Sequence, residues 1–189
     1  MAVNFNKPLV TDKQTPLDFI EGVLTFNRAA GRPEEFDARA VAFHTGMQLE
    51  ELAEKLEAVA KSVEGLDTSD SDLWLVAHMA REMQNMGNAF KRGNYDRAVG
   101  LADRHELLDA DVDVMVVTVG SMMTSGADVH GACREVNRAN LAKIIDGAVI
   151  KDENGKIQKP SGWKPPDLHP FVVRKIDPPF DGRPDHHPV

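Results

Sequence analysis

Proline placement restricts this chain more than any other feature: eight of its eleven prolines fall in the last thirty residues, from Pro160 onward. Each proline fixes its own φ and removes a backbone donor, so the stretch is barred from helix and is expected to run as an extended strap. Trp163, Phe171 and Phe180 are its anchors, to be laid on the preceding helices or on a neighbouring subunit; beyond Ile176 a partly disordered end is an equal alternative. A length of 189 residues with 42% hydrophobic residues is enough for one sizeable core plus such a tail.

Ahead of the strap, apolar residues recur at helical spacing. After an extended arm, a first helix is expected to begin near Thr15 with Pro16 at its first position, to carry Phe19, Ile20, Val23, Leu24 and Phe26, and to stop at Gly31-Arg32-Pro33. A second helix, about 36 to 64, has the apolar line Phe43, Met47, Leu52, Leu56, Val59 and Val63. A third follows the N-cap-rich segment 67–72 and reaches about Phe90, with Met79, Met83 and Met86 assigned to the core. A short helix from Tyr95 to Ala102 leads to a fourth long one, ending near Gly126. Its Val112–Val119 run is β-branched, but the 3.6 period persists through it and overrides propensity. Asp128 caps a fifth helix, 129 to about 145, and Asn154-Gly155 predicts a small β-hairpin between Val149 and Ile157. The expected fold is all-α: an antiparallel bundle of about five helices over residues 1–148, then the hairpin and proline-rich strap over 149–189.

The formal charge of -8 argues against a nucleic acid polymer held by a basic surface. The single cysteine, Cys133, excludes an internal disulfide and a cysteine-rich zinc site. No apolar run approaches the roughly 20 residues of a membrane span, and Met1-Ala2-Val3-Asn4-Phe5 does not open as a signal peptide does. The expected location is cytoplasmic.

The chemistry is concentrated in two acidic stripes. Glu51 and Glu54 are three apart in the middle of the second helix, so two carboxylates project from one face and ask for a compensating cation. Glu106, Asp109 and Asp113 follow an i, i+3, i+7 spacing on the fourth helix. Together they offer hard oxygen ligands of the kind that Mg²⁺, or Mn²⁺ in its place, selects. His44 and Gln48 lie on nearly the same face as Glu51, where they can touch a substrate or be merely structural.

Glu50-Glu51-Leu52-Ala53-Glu54 matches the Glu-Glu-x-x-Glu hallmark of the all-α nucleoside triphosphate pyrophosphohydrolases, the MazG and phosphoribosyl-ATP pyrophosphohydrolase-like superfamily, which the chain resembles over roughly residues 36 to 170. Asn140 and Lys143 resemble that family's Asn-x-x-Lys segment. Gly155-Lys156, Lys159-Pro160 and Trp163-Lys164-Pro165-Pro166 resemble the ending of its phosphoribosyl-ATP-like branch. The second half of the hallmark, Glu-x-x-Asp, is met literally by Glu106 and Asp109; if Asp113 takes the aspartate position, Ala110 stands where a glutamate is expected.

The resemblance implies Mg²⁺-dependent cleavage between the α and β phosphates of a nucleoside triphosphate or phosphoribosyl-nucleotide, giving a monophosphate and pyrophosphate, in nucleotide-pool house-cleaning. It implies metal ligands among Glu51, Glu54, Asp109 and Asp113 with Glu106 in reserve, and Glu50 as the residue that positions or deprotonates the attacking water. Asn140, Lys143, Lys156 and His44 become substrate contacts, and the assembly a homodimer or homotetramer. Ala110 keeps a rival reading open, a catalytically inactive helical protein serving oligomerisation or nucleotide-binding regulation. A ferritin-like di-iron site would need Glu-x-x-His pairs, of which the sequence has none.

Overall fold

The computed structural model of the protein describes residues 18–61, 71–153 and 155–172, the side chains of 71–73 excepted. Among these residues it is all-α with one small antiparallel hairpin. The elements are α1 (Phe19–Ala29), α2 (Ala38–Lys61), α3 (Ser71–Lys91), α4 (Asp96–Leu101), α5 (Arg104–Thr124), α6 (Val129–Leu141), β1 (Ile144–Ile145), β2 (Ala148–Val149) and a 3₁₀ turn (His169–Phe171). The chain divides into two compact units, Arg32–Asp111 and the flanking segments Met1–Gly31 with Val112–Val189.

In the unit Arg32–Asp111, α2 and α3 pack along most of their length, and the partners run in opposite senses: Arg39 meets Lys91, Gly46 meets Gly87, Glu50 meets Gln84. The seam is built from small residues. Ala42, Gly46 and Ala53 of α2 are buried against Ala80 and Gly87 of α3. A Cβ on Gly46 would stand 2.6 Å from the Gly87 carbonyl oxygen, so the two backbones touch where no side chain could fit. This corrects the expected core line, because such close approach pushes larger side chains to the flanks: Met47, Leu52 and Val59 are exposed, as are Met79 and Met86. Arg39 of α2 donates to the last carbonyls of α3, Phe90 O at 3.2 Å and Lys91 O, and so satisfies acceptors that a helix end leaves orphaned.

In the second unit, α1 starts later than expected. Asp18 is its N-cap, accepting from the Glu21 backbone N–H at 2.9 Å, while Thr15 and Pro16 lie outside the described residues. Gly22 of α1 abuts Asn137 of α6, whose side-chain amide donates to the Asp18 and Phe19 carbonyls at 3.1 and 3.2 Å. The α6 helix ends at Leu141, short of the expected 145, because Ile144 and Ile145 enter a hairpin with Val149 and Ala148. Its two-residue turn, Asp146 (φ 51°) and Gly147 (φ 83°), has both residues left-handed, the type I′ geometry that Asp-Gly favours. The hairpin expected around Asn154-Gly155 is reduced to one bridge, Lys151 to Ile157, with Asn154 itself outside the described residues.

The strap does dock on α6. Trp163 Nε1 donates to the Ala139 carbonyl at 2.6 Å, and Asp167 N–H donates to Glu135 at 3.1 Å. Phe171 packs on Gly131, and its carbonyl accepts from Asp128 N–H at 2.8 Å. Phe180 falls outside the described residues. No described helix is long and apolar enough to cross a membrane.

Candidate active site

The Glu50–Glu54 segment occupies the middle of α2, where both flanking turns are helical, so its carboxylates are held on a rigid rod. Glu50 turns toward α3. Its Oε2 accepts from Lys91 Nζ at 2.8 Å and its Oε1 from Gln84 Nε2 at 3.2 Å, and the pair is half-buried. The bond from Lys91 holds the Glu50 carboxyl below the usual carboxylate range, against some desolvation, with Gln84 helping. Glu51 behaves oppositely. Desolvation, then the charges of Glu54 and Glu50, all push its carboxyl up, and no cation enters that balance. By surface area Glu51 and Glu54, one turn apart, are both exposed.

N-terminal to these acids, a cleft of about 230 Å³ opens in the same unit, lined chiefly by Arg32, Glu35, Asp37, His44, Gln48 and Asp111. His44 is half-buried there, and burial foremost, with Arg32 adding and Asp111 opposing, lowers its pKa, which favours the neutral imidazole. His44, Gln48 and Glu51 follow i, i+4, i+7, one stripe of α2 that runs from the cleft to the acidic pair. Gln48 Nε2 donates to Asp111 Oδ1 at 2.9 Å.

Asp111 is the residue that sequence reasoning missed. Asp109 and Asp113 each lie two residues from it, about 200° around the helix, so the α5 acid that meets Gln48 is on the face opposite to the expected stripe. Spacing alone cannot set the rotation of α5; the only signal was that Gln48 shares a stripe with Glu51. Glu106, Asp109 and Asp113 stand exposed on α5, as does Ala110. Among the described residues no three His, Cys, Asp or Glu side chains are gathered close enough to hold an ion. The donor chemistry on α2 nonetheless fits a hard divalent cation: paired carboxylate oxygens from Glu51 and Glu54, with a hydrogen-bonded carboxylate next to them. What the sequence reading adds to that pair, the α5 ligands, is not preassembled.

Asn140, Lys143 and Lys156, three of the expected substrate contacts, belong to the second unit. Lys143 Nζ donates to Asn140 Oδ1 at 3.0 Å, so the Asn-x-x-Lys pair is a hydrogen-bonded unit at the end of α6. Lys156 is exposed, its backbone N–H donating to Asp152 Oδ1 at 2.9 Å. Cys133 is half-buried, and burial raises its thiol pKa, which disfavours the reactive thiolate.

The described residues thus form a helical scaffold that carries paired carboxylates near a polar cleft. The family described as phosphoribosyl-ATP pyrophosphohydrolase matches residues 24–140, more than half of the chain, and the chain belongs to that family, within the MazG-like all-α nucleoside triphosphate pyrophosphohydrolases. Its activity is accordingly of the nucleotide pyrophosphohydrolase type, on an acid anhydride. No curated protein and no solved structure matches the chain.

Proposed function

We propose that the protein is a Mg²⁺-dependent nucleotide pyrophosphohydrolase that cleaves between the α and β phosphates of a nucleoside triphosphate or phosphoribosyl-nucleotide, releasing a monophosphate and pyrophosphate. The observation that carries this reading is the α2 stripe: a polar cleft at His44 and Gln48 leads, one turn further, to the paired carboxylates Glu51 and Glu54. A polyphosphate cannot approach two carboxylates unaided, and a divalent ion held by Glu51 and Glu54, completed by Asp109 and Asp113 with Glu106 in reserve, supplies the bridging positive charge and polarises the phosphorus. Mn²⁺ meets the same ligand preference.

Glu50 stays ionised under Lys91 and uses only one lone pair on each oxygen for Lys91 and Gln84. It can therefore accept a hydrogen bond from the attacking water and orient it, while its lowered basicity favours positioning over full proton abstraction. His44, neutral in the cleft, offers one donor and one acceptor to a base or sugar. Asn140, Lys143 and Lys156 are the proposed contacts to phosphate or sugar oxygens. We place the activity in the cytoplasm, in house-cleaning of the nucleotide pool.

The assembly follows from α5. No residue of that helix is buried, and most of its apolar side chains are exposed: Leu108 is 65% exposed, Val116 64%, Val117 67% and Met123 66%. A helix about 30 Å long with such a surface can supply the roughly 800 Å² per partner that a stable interface needs. A second copy of this chain is the proposed occupant, in a dimer or a dimer of dimers.

Phosphorus NMR of the products tests the reaction. Monophosphate and pyrophosphate support cleavage at the α–β bond; diphosphate and inorganic phosphate contradict it. A folded protein that yields neither, with any nucleotide, returns the account to the regulatory alternative that Ala110 keeps open.

A further inference from the structure

At the end of α6 two lysines converge on one ring. Lys143 Nζ lies 5.2 Å and Lys159 Nζ 4.8 Å from the centroid of the Trp163 indole, so the two ammonium groups are no further apart than those distances together. Lys143 Nζ is also 5.5 Å from the Phe26 ring and donates to Asn140 Oδ1. The indole is fixed by its own bond to the Ala139 carbonyl, which makes it a rigid platform. Among the described residues neither lysine pairs with a carboxylate. Burial, then the charge of Lys159, lowers the pKa of Lys143, and no acid opposes that shift. An indole face can neutralise one exposed ammonium only in part, and two like charges against the same ring repel. The arrangement is short of negative charge.

We propose that the strap completes the phosphate contact assigned above to Asn140 and Lys143: Lys159, held with Lys143 against Trp163, is the specific second cation of a polyphosphate site. The occupants named, free pyrophosphate and the polyphosphate tail of a nucleotide, and the part of Asn140 and Lys143 rest on the hydrolase reading above; the part of Lys159 rests on the geometry of this unit. The site's formation needs the strap, because Lys159 and Trp163 both come from the segment that lies on α6. Lys156, one of the expected substrate contacts, is not among the cations against the Trp163 ring.

The test uses the full chain with Trp74→Phe, which leaves Trp163 as the only indole of the two in the sequence. Inorganic pyrophosphate and, separately, a nucleoside triphosphate are titrated in EDTA and chloride buffer, by indole fluorescence and by calorimetry. Saturable binding is expected. Lys159→Met should weaken it about tenfold, the effect of one charge-assisted contact, and Lys159→Arg should restore most of it, with circular dichroism unchanged in both. Binding of the nucleotide but not of pyrophosphate assigns the site to the substrate tail; binding of both assigns it to the phosphates themselves.

No saturable binding, or binding indifferent to Lys159→Met, overturns the proposal. If such a protein still turns over nucleotide, the hydrolase stands without this site. Pyrophosphate binding that depends on Lys159 in a protein without turnover keeps the site and removes the hydrolase.

Discussion

Replacing Gly87 by alanine gives a change whose sign follows from the geometry of one crossing. The new Cβ would stand 2.7 Å from the Gly46 carbonyl oxygen and 3.4 Å from Leu49 Cβ. Carbon and carbonyl oxygen in comfortable contact stand about 3.3 Å or more apart, so α2 and α3 must part by roughly half an ångström along the seam. The obstructing atom is backbone, which cannot swing aside. Overpacking of this kind costs about 1–3 kcal/mol, against the ~1 kcal/mol that alanine gains over glycine as a helix former. The expected net loss is up to about 2 kcal/mol, read as a lower urea midpoint with an unchanged slope. Gly100→Ala is the control. Its Cβ would meet only Ala38 Cβ, at an ordinary 3.5 Å, so a gain of a few tenths of a kcal/mol, up to about 1, is expected. If Gly87→Ala also stabilises the protein, the backbone contact between the two helices is refuted, and with it the seam that orients Glu50 toward Lys91.

Three further outcomes are expected. Arg138 and then the Asp167 N–H hold the Glu135 carboxyl at about 2, below its ordinary 4.5; a depressed carboxyl contributes stability that is fully present above about pH 4.5 and is lost as the pH falls toward 2. Trp163 fluorescence should accordingly report loosening of the strap across that window, and Glu135→Gln should abolish the pH dependence. Val116→Asp should give a monomer by sedimentation, since one buried charge opposes an apolar interface; an unchanged assembly would show that α5 is not the contact. Lys91→Met should lower kcat by about 10-fold to 100-fold with little change in KM, as Glu50 loses the partner that orients it; equal rates in the two proteins would remove Glu50 from the chemistry.

Much of the fold was legible because it is local. Asp128 caps α6 through its side chain, accepting from Gly131 N–H at 2.9 Å, as its position ahead of a helical pattern implied. The valine-rich run of α5 is helical, as its period required and its propensity did not. Of the three aromatics read as the strap's anchors, Trp163 and Phe171 dock on α6, and Phe180 lies outside the described residues. What escaped is relational. The packed face of α2 is Ala42, Gly46 and Ala53, a stripe that a search for large apolar residues passes over, since small residues mark closest approach. The Asp146-Gly147 turn was overshadowed by the stronger-looking Asn154-Gly155 pair and by a helical pattern extended through Ile144. In the site, the acidic pair on α2 was visible from spacing alone. The Lys91 partner of Glu50, 41 residues away, and the rotation that turns Asp111 toward Gln48 depend on tertiary packing, which no local pattern encodes.

The central claim is that the carboxylates of α2 serve a divalent ion in nucleotide cleavage. Its most direct test is pyrophosphate release from a panel of ribo- and deoxyribonucleoside triphosphates and phosphoribosyl-ATP, with Mg²⁺, with Mn²⁺ and with EDTA, by the natural protein and by Glu54→Gln. Turnover should need the metal, favour a subset of the panel and disappear in Glu54→Gln while the fold persists. Turnover unaffected by EDTA or by Glu54→Gln, or none from a folded assembly with every substrate, would contradict it.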